Sequence, residues 1–145
     1  MSDTTTAPAA ADAATQAALE RLNTVIDRLI APDGCPWDST QTPESLTEYV
    51  IEECHELVDA IRSGKTADMV EELGDVAFLI LMIGKLMARA GGPSLADALE
   101  VEAAKMVRRH PHVFSDTTYE NQSEQLKDWD RIKREEKAAA DAEGP

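Results

Sequence analysis

Residues 46–86 read LTEYVIEECHELVDAIRSGKTADMVEELGDVAFLILMIGKL. Two amphipathic helices meet in this stretch at Ser63-Gly64-Lys65, where the glycine is the expected C-terminal stop of the first. At about 100° per residue, Leu46, Val50, Leu57 and Ile61 fall within one narrow stripe, and Glu53 falls inside it. Glu56 lies at the edge of that stripe and Glu52 further out. On the next helix Met69, Leu73, Val76 and Ile80 define the early stripe. Glu72 and Asp75 border it and share a column with Leu79, Ile83 and Leu86. From Val76 to Ile83 this helix is apolar almost all round, which places it centrally or at a subunit interface. In a chain this small, that favours an oligomer.

The helical pattern continues outward. Leu19, Leu22, Val25, Ile26, Leu29 and Ile30 recur at spacings of three and four, and Ala31-Pro32-Asp33-Gly34 stops that helix. Cys35 to Gln41 reads as a loop, and Thr42 followed by Pro43 is a helix-start signal. The second helix runs from there to about Ser63, and the third from Thr66 or Asp68 to about Ala90, where Gly91-Gly92-Pro93 ends it. Ser94 with Asp97 starts a fourth helix, which Pro111 ends. A fifth covers Ser123 to Lys137, with Leu126, Trp129 and Ile132 on one side. No segment sustains strand alternation. The expected fold is therefore all-α, a bundle of four to five helices. Residues 15–137 form one helical domain, and residues 1–14 and 138–145 are expected to be disordered tails.

Composition limits the function. The chain has 145 residues, enough for one domain with a real core, and 43% of them are hydrophobic. Its net charge of −14 argues against a nucleic-acid binder, which needs cations to displace phosphate counterions, and against docking on an anionic membrane. The longest apolar stretch, Val76 to Ile83, is far short of the roughly 20 residues a membrane helix needs. Cys35 and Cys54 make neither a disulfide framework nor a CxxC pair, and no signal peptide is visible. The expectation is a cytoplasmic protein with reduced thiols. Cys54 is expected to be a small buried hydrophobe.

The acids are concentrated. From Glu52 to Asp75 there are eight acids and two bases, whereas Val101 to Lys137 holds eight of each. Glu53, Glu56, Glu72 and Asp75 point toward the bundle interior, where a lone ionised carboxylate is very unfavourable. Glu53 and Glu56 are three apart, as are Glu72 and Asp75, so each pair also repels. Something cationic must hold them: a hard cation such as Mg²⁺ or Mn²⁺, or Arg and Lys partners, unless the helix faces are rotated from this estimate. Lys105, Arg108 and Arg109 share a helix face at spacings of three and four. They could clamp phosphates, or could simply be cations favoured near a helix C-terminus. Trp37 and Trp129 could stack on a base or serve as core. His110, His112 and Cys35 fit no standard zinc spacing.

Four blocks now carry a resemblance. Gly34-Cys35-Pro36-Trp37-Asp38 with Gln41-Thr42 is the first. Glu52-Glu53-Cys54-His55-Glu56 followed by Glu72-Leu73-Gly74-Asp75 matches an EExxE…ExxD signature. Lys105 to Phe114 and Trp129 to Lys133 complete the set. Together they resemble the MazG-type nucleoside triphosphate pyrophosphohydrolases over about Leu19 to Lys137. The resemblance implies an all-α homodimer or higher assembly that hydrolyses NTPs or dNTPs to monophosphate and pyrophosphate with Mg²⁺, Mn²⁺ being a possible substitute. It implies Glu53, Glu56, Glu72 and Asp75 as metal ligands and Glu52 as a supporting or water-orienting acid. Lys105, Arg108 and Arg109 would bind the triphosphate, and Trp129 would lie near the nucleotide. Cys35 to Asp38 would be structure beside the site. Long members of that family carry two such domains, and this chain carries one. The rival readings are a narrow-specificity dUTP-, dCTP- or phosphoribosyl-ATP-type pyrophosphatase, and a non-enzymatic helical module that binds a partner.

Overall fold

The computed structural model describes residues 6–145. Among them there are six α-helices and no strand: α1 (Thr6–Ile30), α2 (Thr47–Ser63), α3 (Thr66–Arg89), α4 (Leu95–Arg109), α5 (Pro111–Phe114) and α6 (Gln122–Glu143). Short 3₁₀ turns occupy Asp38–Thr40 and Glu44–Leu46. The chain divides into two compact units, the first ending at Leu95 and the second running Ala96–Pro145.

In the first unit α2 and α3 form an antiparallel hairpin. Gly64 makes the turn possible: its φ of 72° is left-handed, and its N–H donates to the Ile61 carbonyl. Helix α1 packs on α3, and the core consists of Ile26 and Ile30 from α1, Leu46 from the turn before α2, and Leu79, Leu81, Met82 and Leu86 from α3. Ile26, Leu46 and Met82 have essentially no exposed surface. Lys85 reinforces the α1–α3 contact through Asp27, at 2.6 Å. Buried Gly84 lets Leu95 approach α3 closely, since a Cβ there would stand 2.8 Å from Leu95 Cβ.

The Thr42 start signal works through reciprocal bonds. The Ser45 N–H donates to Thr42 Oγ1 at 3.1 Å, and the Thr42 N–H donates to Ser45 Oγ at 2.9 Å. The chain first makes a 3₁₀ turn, however, so α2 begins only at Thr47. At the second unit, Pro111 ends α4 and also opens α5, where its missing N–H costs nothing. Helix α6 starts earlier than expected because Asn121 caps it, accepting from the Glu124 N–H at 3.1 Å. The Glu124 side chain returns a bond to the Glu120 N–H.

Several expectations need correcting. Helix α1 reaches back to Thr6 and α6 runs on to Glu143, so helix covers much of both stretches read as tails; residues 1–5 lie outside the described residues. From Ala9 to Arg21 every residue of α1 is exposed. Cys54 is exposed rather than buried. Ile61, Leu73 and Ile80, assigned to inward stripes, are about half or more exposed, at 56%, 59% and 49%. On α3 the buried column is the other one, through Leu79, Met82 and Leu86. That is the column the acids Glu72 and Asp75 share.

Candidate functional site

The hairpin turn sets the acids opposite one another. Glu56 and Glu72 each stand eight residues from Gly64, and Glu53 and Asp75 each stand eleven. In an antiparallel hairpin this symmetry places Glu56 level with Glu72 and Glu53 level with Asp75. One carboxylate oxygen each from Glu53, Glu56 and Glu72 lies within 4.8 Å of the others. Glu53 and Glu72 are half-buried and Glu56 is exposed. One oxygen of each half-buried acid, Glu53 Oε2 and Glu72 Oε2, is buried and has no hydrogen-bond partner among the described residues.

Electrostatics record the crowding. Burial, then the charge and hydrogen bond of Glu56, push the Glu72 carboxyl up to about 7, with Asp75 and Glu53 adding to the rise. Glu53 is raised by burial first, then by Glu56, Asp75 and Glu52. Asp75 therefore acts on both, although it stands outside the close trio and is exposed. Glu52 is exposed on the neighbouring face of α2.

Among the described residues no ion pair reaches Glu53, Glu56, Glu72 or Asp75. Within the described residues, then, no Arg or Lys neutralises this cluster. Converging carboxylates with two orphaned oxygens and no nitrogen or sulfur donor fit a hard divalent cation.

A cavity of about 240 Å³ opens against the same acids, lined by Trp37, Tyr49, Glu53, Asp75, Phe78 and Leu79. The Trp37 and Tyr49 rings meet edge to face, with centroids 5.6 Å apart and an interplanar angle of 84°. Spacing along the chain gave no sign that Trp37 and Glu53 would line one cavity, because a loop and two 3₁₀ turns intervene.

The cationic block lies in the second unit, and each of its members already has a carboxylate. Lys105 pairs with Glu102 at 2.6 Å. Arg108 and Arg109 converge on Glu136, at 2.6 Å and 2.8 Å. The two arginines hold the Glu136 carboxyl down at about 2, Arg109 contributing most. Trp129 joins them: the Arg109 guanidinium stands 5.6 Å from its ring centroid, and His110 meets it edge to face. Tyr119 donates to Asp128, which also holds Arg131. Glu136 was missed from sequence. Its only signal was its place on α6, one helical turn beyond Ile132, the buried residue of that helix. The large open groove of this unit, about 900 Å³, is lined by Arg108, Arg131, Glu135 and Glu136, all paired among themselves or with Arg109 and Asp128.

Fold and site together define an all-α protein whose acidic cluster is built across a helical hairpin. Residues 41–114 match the MazG nucleotide pyrophosphohydrolase domain, and the chain belongs to that family. It is 40% identical over 121 residues to the nucleoside triphosphate pyrophosphohydrolase of Escherichia coli K12, covering 83% of this chain and 46% of that protein. It is 39% identical over 118 residues to the nucleoside triphosphate pyrophosphohydrolase/pyrophosphatase MazG of Thermotoga maritima, covering 81% and 45%. The uncharacterized protein YabN of Bacillus subtilis is 42% identical over 118 residues, which cover 81% of this chain and 24% of that one. The chain thus spans half or less of the length of these curated relatives. The crystal structure of a MazG-related protein from Thermotoga maritima has a TM-score of 0.67 at 29% identity, covering 79% of this chain and 98% of that one.

Proposed function

We propose that the chain hydrolyses nucleoside triphosphates, ribo or deoxy, to the monophosphate and pyrophosphate, with Mg²⁺ as the native cation and Mn²⁺ as a substitute. The observation that carries this is the Glu53–Glu56–Glu72 convergence with its two orphaned buried oxygens. These three, with Asp75, would hold the cation. When bound, it polarises phosphate oxygens and lowers the pKa of a water.

The chain's own residues complete the chemistry. Glu52, one position from Glu53 on α2, orients the attacking water toward the α-phosphorus, and pyrophosphate departs. Lys105, Arg108 and Arg109 neutralise charge on the β- and γ-phosphates, and Trp129 lies near the nucleotide. For this the arginines must exchange Glu136 for phosphate. A cytoplasmic setting belongs to the same reading, and both cysteines are free. So does a homodimer, supported by the exposed Ile51, Ile61, Val70 and Leu73 on the α2–α3 hairpin, all at 56% or more.

The test is a product analysis with the common NTPs and dNTPs, with and without Mg²⁺. Monophosphate plus pyrophosphate, lost without the metal, is the expected result. Orthophosphate plus diphosphate overturns the assignment of the α-phosphorus. Turnover of one nucleotide alone selects the narrow-specificity alternative.

A further inference from the structure

We propose that Arg89 is a positioning residue of the site: it fixes the loop from Gly34 to Gln41 against the helix that carries Glu72 and Asp75, and so sets where the loop stands beside the acids. This rests on the function proposed above. One guanidinium makes the tie. Arg89 Nη1 donates to the Ile30 carbonyl at 2.9 Å, and Nη2 donates to the Ser39 carbonyl at 3.2 Å. The first acceptor ends α1, and the second lies in the 3₁₀ turn of the loop. Arg89 itself is the last residue of α3, about four turns beyond Asp75. Three segments thus meet on one side chain.

Each half of that tie has a physical reason. The last carbonyls of a helix lack an intrahelical partner and form the negative end of its dipole, which favours a cation at Ile30. The donors of a guanidinium lie in a fixed plane, so one arginine can hold two carbonyls at once. Packing alone does not fix the loop here. A cleft of about 230 Å³ lies between Gln41, Thr42 and Pro43 on one side and Leu86 and Ala90 on the other, with Arg89 lining it. The loop therefore does not sit flush on the end of α3, and the guanidinium bridges the two.

The loop carries that hold from Ser39 to Trp37. Its start is pinned to α1: the Cys35 N–H donates to the Leu29 carbonyl at 2.8 Å, and a Cβ at Gly34 would stand 2.4 Å from the same oxygen. The Ser39 N–H donates to the Cys35 carbonyl at 2.9 Å. Thr40 Oγ1 and Gln41 Nε2 donate to the Trp37 carbonyl at 3.0 Å and 3.1 Å. The loop is thus one cross-braced turn, and fixing Ser39 fixes Trp37. Trp37 shares its cavity with Glu53 and Asp75. Because Arg89 stands on the same helix as Asp75, it holds that wall at a set distance from the acids. A misplacement of about 1 Å in a reacting geometry can cost about 100-fold in rate, so a residue remote from the acids can matter to turnover.

The experiment compares the full chain with Arg89→Met, which keeps an unbranched stem without donors, and with Arg89→Lys, which keeps the charge without the fork. Three readouts are taken: kcat/KM for a nucleoside triphosphate in Mg²⁺, the Mg²⁺-dependent rise in melting temperature, and acrylamide quenching of Trp37. The chain has two tryptophans, so quenching is read in a Trp129→Phe background. In Arg89→Met quenching of Trp37 should increase and kcat/KM should fall, by up to about 100-fold. The Mg²⁺-dependent rise should persist, because Glu53, Glu56 and Glu72 are untouched. Arg89→Lys should recover only part of both losses, and it serves alone if Arg89→Met does not fold. A lower melting temperature with quenching and kcat/KM unchanged would make Arg89 merely structural and overturn the proposal. Full recovery in Arg89→Lys would overturn it too, since charge alone would then suffice, and so would loss of the Mg²⁺-dependent rise. A wild-type chain that hydrolyses no nucleotide overturns the function proposed above, and the positioning of a reaction site with it, whatever the quenching shows of the loop.

Discussion

Glu56 and Glu72 stand eight residues either side of Gly64, and their carboxylate oxygens come within 4.8 Å of each other across the α2–α3 hairpin. Two ionised carboxyls this close repel, and a proton on one of them relieves the repulsion. Glu72 is the one pushed up, to about 7. In the metal-free chain protonation of Glu72 relieves that crowding, and a divalent cation competes with the proton for the site.

This fixes a pH dependence. The folded-state value of Glu72 is raised to about 7 from an ordinary 4.5, so the carboxyl ionises more readily in the unfolded chain. The stability it contributes is whole below pH 4.5 and is lost as the pH rises through 7. The melting temperature of the metal-free protein should fall between about pH 5 and about pH 8. Glu72→Gln should flatten that fall, and Mg²⁺ should raise the melting temperature most at the alkaline end, where the ligands are already deprotonated. A slope unchanged in Glu72→Gln would show that the proton resides elsewhere.

Glu53→Gln keeps the shape of the side chain and removes its charge. Even groups that only support a metal ligand typically contribute about 10- to 100-fold to affinity or activity. Loss of a ligand should cost at least that in kcat/KM. Circular dichroism should show the helical content unchanged, and the Mg²⁺-dependent rise in melting temperature should shrink. Turnover at the wild-type rate would remove Glu53 from the metal site.

Much of this was legible in the sequence because helical periodicity and the hairpin turn are local signals. Gly64, Thr42 and the acid spacings are read directly, and they bring Glu53, Glu56 and Glu72 together. The face of α3 was harder. A helix apolar almost all round has two candidate stripes, and only packing against Ile26 and Ile30 of α1 selects the column through Leu79 and Leu86 over that of Leu73 and Ile80. Trp37 beside Glu53, and Glu136 beneath Arg108 and Arg109, are tertiary relationships without a period. The long reach of α1 and α6 escaped notice because Ala-rich stretches favour helix by propensity while showing no buried stripe.

Gly84 tests the packing that supports the hairpin. It is buried mid-helix, and an added Cβ would lie 2.8 Å from Leu95 Cβ. Alanine has the better helix propensity, so on an open helix Gly84→Ala would stabilise. Here the clash should prevail, at about 1–3 kcal/mol of overpacking. Urea unfolding should show the midpoint moving down without a change in slope. A midpoint moving up would mean that Leu95 withdraws easily from α3.

The Glu136 carboxylate has the opposite sign to Glu72. Arg109 and then Arg108 hold it at about 2, below its ordinary 4.5, so its contribution is present above pH 4.5 and is lost as the pH falls toward 2. That window lies below the one set by Glu72, and the two can be separated in one titration. Glu136→Gln should lower the melting temperature at neutral pH by a few degrees and abolish the difference from wild type at the acid end. The same variant tests whether the arginines serve the substrate. Both guanidiniums lose their anionic partner, so if they bind phosphate the KM for a nucleoside triphosphate should fall, even as stability falls. Lower stability with an unchanged KM would leave Arg108 and Arg109 as the structural link between α4 and α6.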